Sequence, residues 1–80
     1  MEQFETIIRE AGREQRRVLV EIESTPGTRY ERELEPYAIA DGELLAYSYL
    51  RDEFRTVRMA DVRGVQVTPR SFTPRRDVEL

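Results

Sequence analysis

Five residue types are missing from this chain of 80 residues: asparagine, cysteine, histidine, lysine and tryptophan. Without cysteine, the domain forms neither disulfide bonds nor thiolate metal sites. Without histidine, it lacks the usual zinc ligand, the usual general base near neutral pH and the central member of a hydrolase triad. No other residue stands out as catalytic. We therefore expect a protein that is not an enzyme and that uses no metal or other cofactor.

Long apolar runs are missing as well. No stretch approaches the ~20 residues that cross a bilayer. The first residues, MEQFETIIRE, are acidic rather than basic, unlike the start of a signal peptide. We therefore expect a soluble, cytoplasmic protein with no membrane partner, folded as one domain because 80 residues are too few for two.

The basic residues are all of one kind. The 13 arginines are outnumbered by 16 acidic residues, which gives a net charge of −3. A negative total argues against indiscriminate nucleic-acid binding, which depends on a net basic surface. A GC-rich genome is the simpler reason for an arginine bias. A local basic pocket remains compatible with this composition, because guanidinium groups bind phosphate at two points and stack on aromatic rings.

The beginning of the chain has the apolar spacing of a helix. This i, i+3, i+4, i+7 pattern consists of Phe4, Ile7, Ile8 and Ala11. It predicts a helix over residues 2–12 that ends at Gly12. Three turns are not stable alone in water, so the apolar stripe must be covered. We expect it to pack against the rest of the domain, with a dimer contact as the alternative.

After this helix the apolar period changes to two, which is typical of strands. Turn sequences separate the strands: STPGT (24–28), Asp41-Gly42 and RDE (51–53), while MADV (59–62) indicates a single helical turn. Pro36 cannot donate to a ladder and predicts an edge or a bend. The five predicted strands are 18–23, 28–34 with an extension towards 39, 43–50, 54–59 and 63–68.

One helix followed by five short strands predicts a mainly β domain. We expect a small antiparallel barrel of the SH3 or Sm type over residues 18–68, with the N-terminal helix covering one end. A sheet this short cannot stay flat and still bury enough apolar surface, and closure also hides its edges. We place one domain at residues 1–73 and expect the polar, proline-containing tail, 74–80, to be loose.

Several stretches of the sequence resemble a WYL domain, a family found mostly in bacterial transcription regulators. They are RRVLVEIES, ELEPYAI, DGELLAYSYLRDEFRTVRMADV and VTPRSF, within residues 5–73. The most specific pieces are EPY, the glycine-led third strand, and RTVR followed by an apolar residue. The family's Arg-Thr-Phe-Arg-Leu-Asp-Arg-Ile is matched outright at Arg55, Thr56 and Arg58. Asp61 replaces the final arginine, and the Trp-Tyr pair that names the family is absent.

The resemblance implies an Sm-like barrel that senses a ligand. In such regulators this domain usually follows a helix-turn-helix, which this sequence does not contain. The family is thought to bind a negatively charged molecule, a nucleotide or single-stranded nucleic acid, through a basic pocket. Carried over by position, and widened by two flanking arginines, the candidate site consists of Arg55, Arg58, Tyr47, Tyr37, Arg51 and Arg63.

Arg55 has two interpretations. In an alternating strand it shares a face with Val57 and Met59, which are apolar and expected in the core. In the functional interpretation its guanidinium binds phosphate or an unstacked base at the barrel rim. Tyr47 or Tyr37 then supplies a stacking face worth ~1–3 kcal/mol per base. In the structural interpretation Arg55 pairs with a carboxylate at the barrel end, and the candidates are Glu33, Glu43 and Glu53.

Two functions therefore remain open. The first is a regulatory module of a transcription-regulation system that binds an anionic ligand or single-stranded nucleic acid. The second is a protein-interaction or oligomerisation module, with a protein partner or as a homodimer, whose ligand site has degenerated. Convergence of Arg55, Arg58 and Tyr47 on one pocket favours the first. Burial of these residues in ion pairs beside an exposed apolar strand edge favours the second.

Overall fold

The structure, a computed structural model, describes residues 2–80 as one helix and five strands. The elements are α1 (Glu2–Arg13), β1 (Arg16–Thr25), β2 (Thr28–Ala40), β3 (Glu43–Ser48), β4 (Glu53–Arg58) and β5 (Val62–Ser71). A 3-10 turn, Met59–Asp61, joins β4 to β5 where the sequence predicts a single helical turn. The predicted fold class, mainly β with a helix first, is confirmed.

The strands form one antiparallel sheet in the order β4-β3-β2-β1-β5. Strand β1 lies between β2 and β5, since Val18 is opposite Leu34 of β2 on one side and Val67 of β5 on the other. The short 3-10 turn connects the two edge strands, β4 and β5, so the sheet curls into a small barrel-like shape. Strand β3 ends at Ser48, earlier than predicted, because a turn containing Asp52 at φ 56° follows it.

The inner face of the sheet and the apolar stripe of α1 form the main core. Its buried members are Ile8, Ala11, Val18, Val20, Ile22, Leu34, Leu44, Ala46, Met59 and Val62. Helix α1 packs against β1, β2 and β5, so its stripe is covered by the domain itself. Burial of this apolar surface is the main source of stability for a chain of this size.

Pro36 marks a bulge in β2. The register with β3 shifts between Pro36 and Ala38, which leaves Tyr37 as the extra residue. The bend that the proline predicts is present as this bulge. Glu35 and Tyr37 are two residues apart, so alternation along β2 places both on the outer face of the sheet, where they contact each other.

Gly12 does not end the helix, which continues to Arg13. The left-handed position after the helix is instead occupied by Gln15, at φ 57°. Gly12 matters for a different reason, since a Cβ atom there would lie 2.1 Å from Cδ1 of Leu80 and 3.3 Å from the carbonyl oxygen of Pro36. The glycine is required by close packing rather than by its backbone angles.

Residues 73–80, called here the C-terminal strap, differ from the loose tail expected over 74–80. The Glu79 N–H donates to the carbonyl of Tyr37 at 2.7 Å, and Glu79 forms a parallel bridge with Ala38. At the end of the strap, Arg13 Nε donates to the carbonyl of Leu80 at 2.6 Å. The expectation rested on polar composition, whereas the segment is held by contacts with distant residues.

Candidate functional site

Three arginines line one small cavity on the inner side of the sheet. Arg32 comes from β2, Arg51 from the β3–β4 turn and Arg55 from β4, and the volume they enclose is about 90 Å³. We call this space the arginine cavity. The remaining lining residues are Ile22, Leu34, Val57, Tyr30, Ser48 and Thr56. An apolar floor with guanidinium groups around it is suited to a small ligand that carries negative charge.

Strand pairing places Arg55 on the inner face, as the alternation of β4 predicts. Arg55 lies opposite the fully buried Ala46, and Val57, two residues further on, packs against the main core. Ala46 is small and Arg55 is long, so the guanidinium extends to the rim of the cavity. The Arg55 side chain remains 47% exposed and can be reached from solvent.

The charge of the arginine cavity is only partly compensated. Arg55 Nη1 lies 2.8 Å from Oε2 of Glu53, and both side chains are about half exposed, so this ion pair is weak. The Arg32 guanidinium stacks over the Tyr30 ring at 4.4 Å. Within residues 2–80, Arg51 forms no ion pair. An anion that enters the cavity is therefore surrounded by three guanidinium groups and one exposed carboxylate.

Two of the predicted arginines lie outside this cavity. Arg58 is exposed at the end of β4, and strand alternation places it on the face opposite Arg55. Arg63 follows the 3-10 turn, where its Nε lies 3.3 Å from Glu23 and its Nη1 donates to the carbonyl of Ala60 at 2.7 Å. The basic patch predicted from sequence is thus divided, and only Arg51 and Arg55 share a site.

The two predicted stacking tyrosines lie on the outer face, away from the arginine cavity. Tyr37 is fully buried and Tyr47 is 8% exposed. They belong to what we call the outer aromatic cluster: Tyr37, Tyr47, Tyr49, Phe54 and Phe72. The prediction that either ring lies beside Arg55 as a stacking face is corrected, because both rings are buried on the opposite face of the sheet.

Sequence reasoning did not include Arg32 or Tyr30 in the candidate site. The signal was present, since alternation in β2 puts Tyr30, Arg32 and Leu34 on one face, and this shared face is observed. What the sequence did not reveal is that this end of β2 lies beside the turn that carries Arg51. Tyr30 is half-buried and contributes an aromatic ring to the lining of the cavity.

A second polar constellation surrounds Glu35 on the outer face. This carboxylate is 2% exposed and accepts hydrogen bonds from the hydroxyl of Tyr37 at 2.6 Å, from the hydroxyl of Tyr49 and from Nε of Arg75 at 3.1 Å. Burial, reinforced by the hydrogen bond to Glu35, raises the pKa of Tyr37 to about 12 and also raises that of Tyr49. A hydrogen bond to Asp52, followed by burial, raises the pKa of Tyr47.

No model of a protein family matches the sequence, and no curated protein matches it. Among solved structures, the chain is similar to proteasome accessory factor B/C (PafBC) of Arthrobacter aurescens, with a TM-score of 0.80 and 23% sequence identity. The match covers 88% of this chain and 12% of that chain. The likeness supports the barrel-like fold that the resemblance to WYL domains implies.

Neither a membrane span nor a metal cluster is found in the part of the chain that the structure describes. No helix within residues 2–80 is long and apolar enough to cross a bilayer. The same residues contain no group of three or more acidic side chains arranged to hold a metal ion.

Proposed function

We propose that this chain is a regulatory module that binds an anionic ligand, a nucleotide or short single-stranded nucleic acid, in the arginine cavity. The observation that carries this proposal is the convergence of Arg32, Arg51 and Arg55 on one solvent-accessible space. Guanidinium groups bind phosphate oxygens through paired, charge-assisted hydrogen bonds. The regulatory part of the proposal is supported by the resemblance to WYL domains and by the structural likeness to a proteasome accessory factor.

The cavity favours a ligand that presents phosphate together with a flat ring. Its volume of about 90 Å³ holds a phosphate group or part of a base rather than a whole nucleotide, so the rest of the ligand lies over the rim. Tyr30 borders the cavity, and its ring already accepts one planar guanidinium, that of Arg32. A base that displaces Arg32 stacks on the same ring and releases the guanidinium towards the phosphate.

Fluorescence anisotropy tests the proposal. Labelled short single-stranded DNA and RNA are titrated with the protein at low and at moderate salt, using the parent chain and the variant Arg55→Glu. We expect the parent to bind with an affinity that falls as salt rises. The variant loses a phosphate partner and adds a repelling carboxylate, so its affinity falls about tenfold or more.

Arg58→Glu is the matched control, because it makes the same charge change on the same strand but on the opposite face. We expect it to weaken binding much less than Arg55→Glu, since only the general charge of the protein changes. Circular dichroism confirms that both variants fold. Equal losses of affinity in the two variants contradict a site in the arginine cavity. Titrations that show no change in anisotropy for any of the three proteins contradict nucleic-acid binding.

A second candidate function, a protein-interaction module, is favoured by the β3–β4 hairpin. Leu50 at its tip is 67% exposed and Phe54 is 39% exposed. Within residues 2–80, β4 pairs only with β3, so its other edge is available to another strand. Flat titrations combined with a molecular mass that rises with protein concentration support this function instead.

The oligomer predicted by this second function depends on the hairpin. Replacing the exposed Leu50 with serine removes apolar surface without touching the core, so it is expected to reduce association. An unchanged mass in light scattering contradicts an interface at the hairpin.

A further inference from the structure

Arg75 of the C-terminal strap is bound in a way that resembles a ligand in a site. Its Nε donates to Oε1 of Glu35 at 3.1 Å, and its guanidinium carbon lies 3.8 Å from the centre of the Tyr47 ring. The Arg75 backbone N–H also donates to the hydroxyl of Tyr37 at 2.9 Å. A buried carboxylate and an aromatic face together select a guanidinium over an ammonium, because both use its planar shape.

The strap has two further anchors beyond Arg75. Val78 packs against the outer aromatic cluster, and Leu80 occupies the space that the missing side chain of Gly12 leaves open. Between them, Glu79 forms a single parallel bridge with Ala38 of β2. The segment bends at residues 75 and 76 and is held by one charged and two apolar side chains, rather than as a full strand of the sheet.

We propose that the outer face is a binding site for an arginine-bearing peptide, and that its second occupant is the C-terminal strap of another copy of this chain. In a single molecule, the site is filled by its own strap. The contacts that hold the strap do not depend on which molecule it belongs to, so two copies can exchange straps.

The protein's own strap has the advantage of high effective concentration, which keeps the isolated molecule monomeric. Exchange becomes favourable when one molecule's strap loses its anchor while its site stays intact. This inference uses Glu35 and Arg75, not the arginine cavity, so it stands or falls separately from the proposed function.

A peptide titration on the full chain tests the site. The probe is a fluorescein-labelled peptide with the sequence of residues 72–80, FTPRRDVEL. We expect Arg75→Ala to bind this peptide about tenfold more tightly than the parent, because the variant's own strap no longer fills the arginine site. Arg76→Ala is the matched control, since Arg76 is a neighbouring arginine whose contact is a weak pair with Glu79 at 3.9 Å. It is expected to behave like the parent.

The arginine of the peptide supplies the second comparison. A probe with alanine in place of its first arginine, the counterpart of Arg75, is expected to lose binding to the Arg75→Ala variant. A probe with alanine in place of its second arginine is expected to keep it. Equal binding of all probes, or equal binding by the parent and the Arg75→Ala variant, overturns the proposal.

If Arg75→Ala does not fold, Arg75→Lys is used instead. This variant is expected to bind the peptide more tightly than the parent, and binding equal to that of the parent also overturns the proposal.

Mixing two variants tests exchange between copies. The Arg75→Ala chain keeps the site and lacks the anchor, whereas the Glu35→Gln chain keeps the anchor and has a damaged site. We expect the mixture to form a heterodimer in analytical ultracentrifugation, while each variant alone stays predominantly monomeric. A mixture that sediments as the sum of its two components contradicts strap exchange.

Discussion

At the scale of single residues, environment decides the role of each charged side chain more than residue type does. Arg55 and Arg58 belong to one motif, yet strand alternation puts the first at a cavity and the second on the opposite face. Glu35 shows the same principle, because the bulge beside it buries its carboxylate among two tyrosine hydroxyls and Arg75. A buried carboxylate with several donors is stable, whereas the same group unpaired in that position is not.

The raised pKa values of the tyrosines on the outer face predict a loss of stability in alkaline solution. The folded state raises the pKa of Tyr37 from 10.0 to about 12 and raises that of Tyr49 as well. Both groups therefore keep their protons in the folded state at a pH where the unfolded chain loses them. Their contribution is complete below pH 10 and declines as the pH rises through about 12.

The measurement is the free energy of unfolding in urea across this pH range, together with the ultraviolet absorbance of tyrosinate. We expect the free energy to fall above pH 10 in the parent and to fall less in the Tyr37→Phe/Tyr49→Phe double variant. If the stability of the parent stays constant between pH 10 and about 12, the raised pKa values of these tyrosines are contradicted.

At the scale of elements, the spacing of apolar residues and the turn sequences predicted most of the fold. The change from a helical to an alternating pattern located α1 and the first strand, and Asp41-Gly42 located the β2–β3 hairpin, where both residues adopt positive φ. The ends of elements were harder to predict. Gly12 was taken as a helix stop, but its space is used by Leu80, and contacts with residues so distant in sequence leave no local pattern.

The end of α1 offers a direct test of backbone strain. Gln15 adopts φ 57°, a left-handed conformation that costs a residue with a side chain about 1 kcal/mol relative to glycine. Its hydrogen bonds here are made by the backbone, because its N–H donates to Gly12 and its carbonyl accepts from Phe72. We therefore expect Gln15→Gly to raise the free energy of unfolding by about 1 kcal/mol.

Glu14→Gly is the control for this substitution, since Glu14 precedes Gln15 and has no positive φ. Glycine there only adds freedom to the unfolded chain, so we expect a loss of about 0.5–1 kcal/mol. Urea denaturation measures both variants. If Gln15→Gly is no more stable than the parent, the helix end is not strained in the way that its φ angle indicates.

At the scale of the whole molecule, one curled sheet presents two different faces. The inner face carries the main core and the arginine cavity, and the outer face carries the outer aromatic cluster and the C-terminal strap. Sequence motifs identified Arg51 and Arg55 but grouped them with Tyr37 and Tyr47, because the motif does not show which face each side chain occupies.

The strap was also beyond prediction from local sequence. Its proline and charged residues are typical of a loose terminus, and only the three-dimensional positions of Glu35, Tyr47 and Gly12 show what holds it. With the strap in place, the rings of Tyr37 and Tyr47 are covered. The arginine cavity therefore remains the accessible candidate site for an anionic ligand.

The central claim is tested most directly by nuclear magnetic resonance of the uniformly labelled chain titrated with single-stranded oligothymidylate and, separately, with pyrophosphate. The account predicts that amide shifts concentrate at the lining of the arginine cavity: Tyr30, Arg32, Ser48, Arg51, Arg55 and Thr56. The amide chemical shifts of Tyr47 and Arg58 are predicted to stay unchanged. Shifts centred on the outer aromatic cluster or the strap, or no shifts with either ligand, contradict the arginine cavity as the binding site.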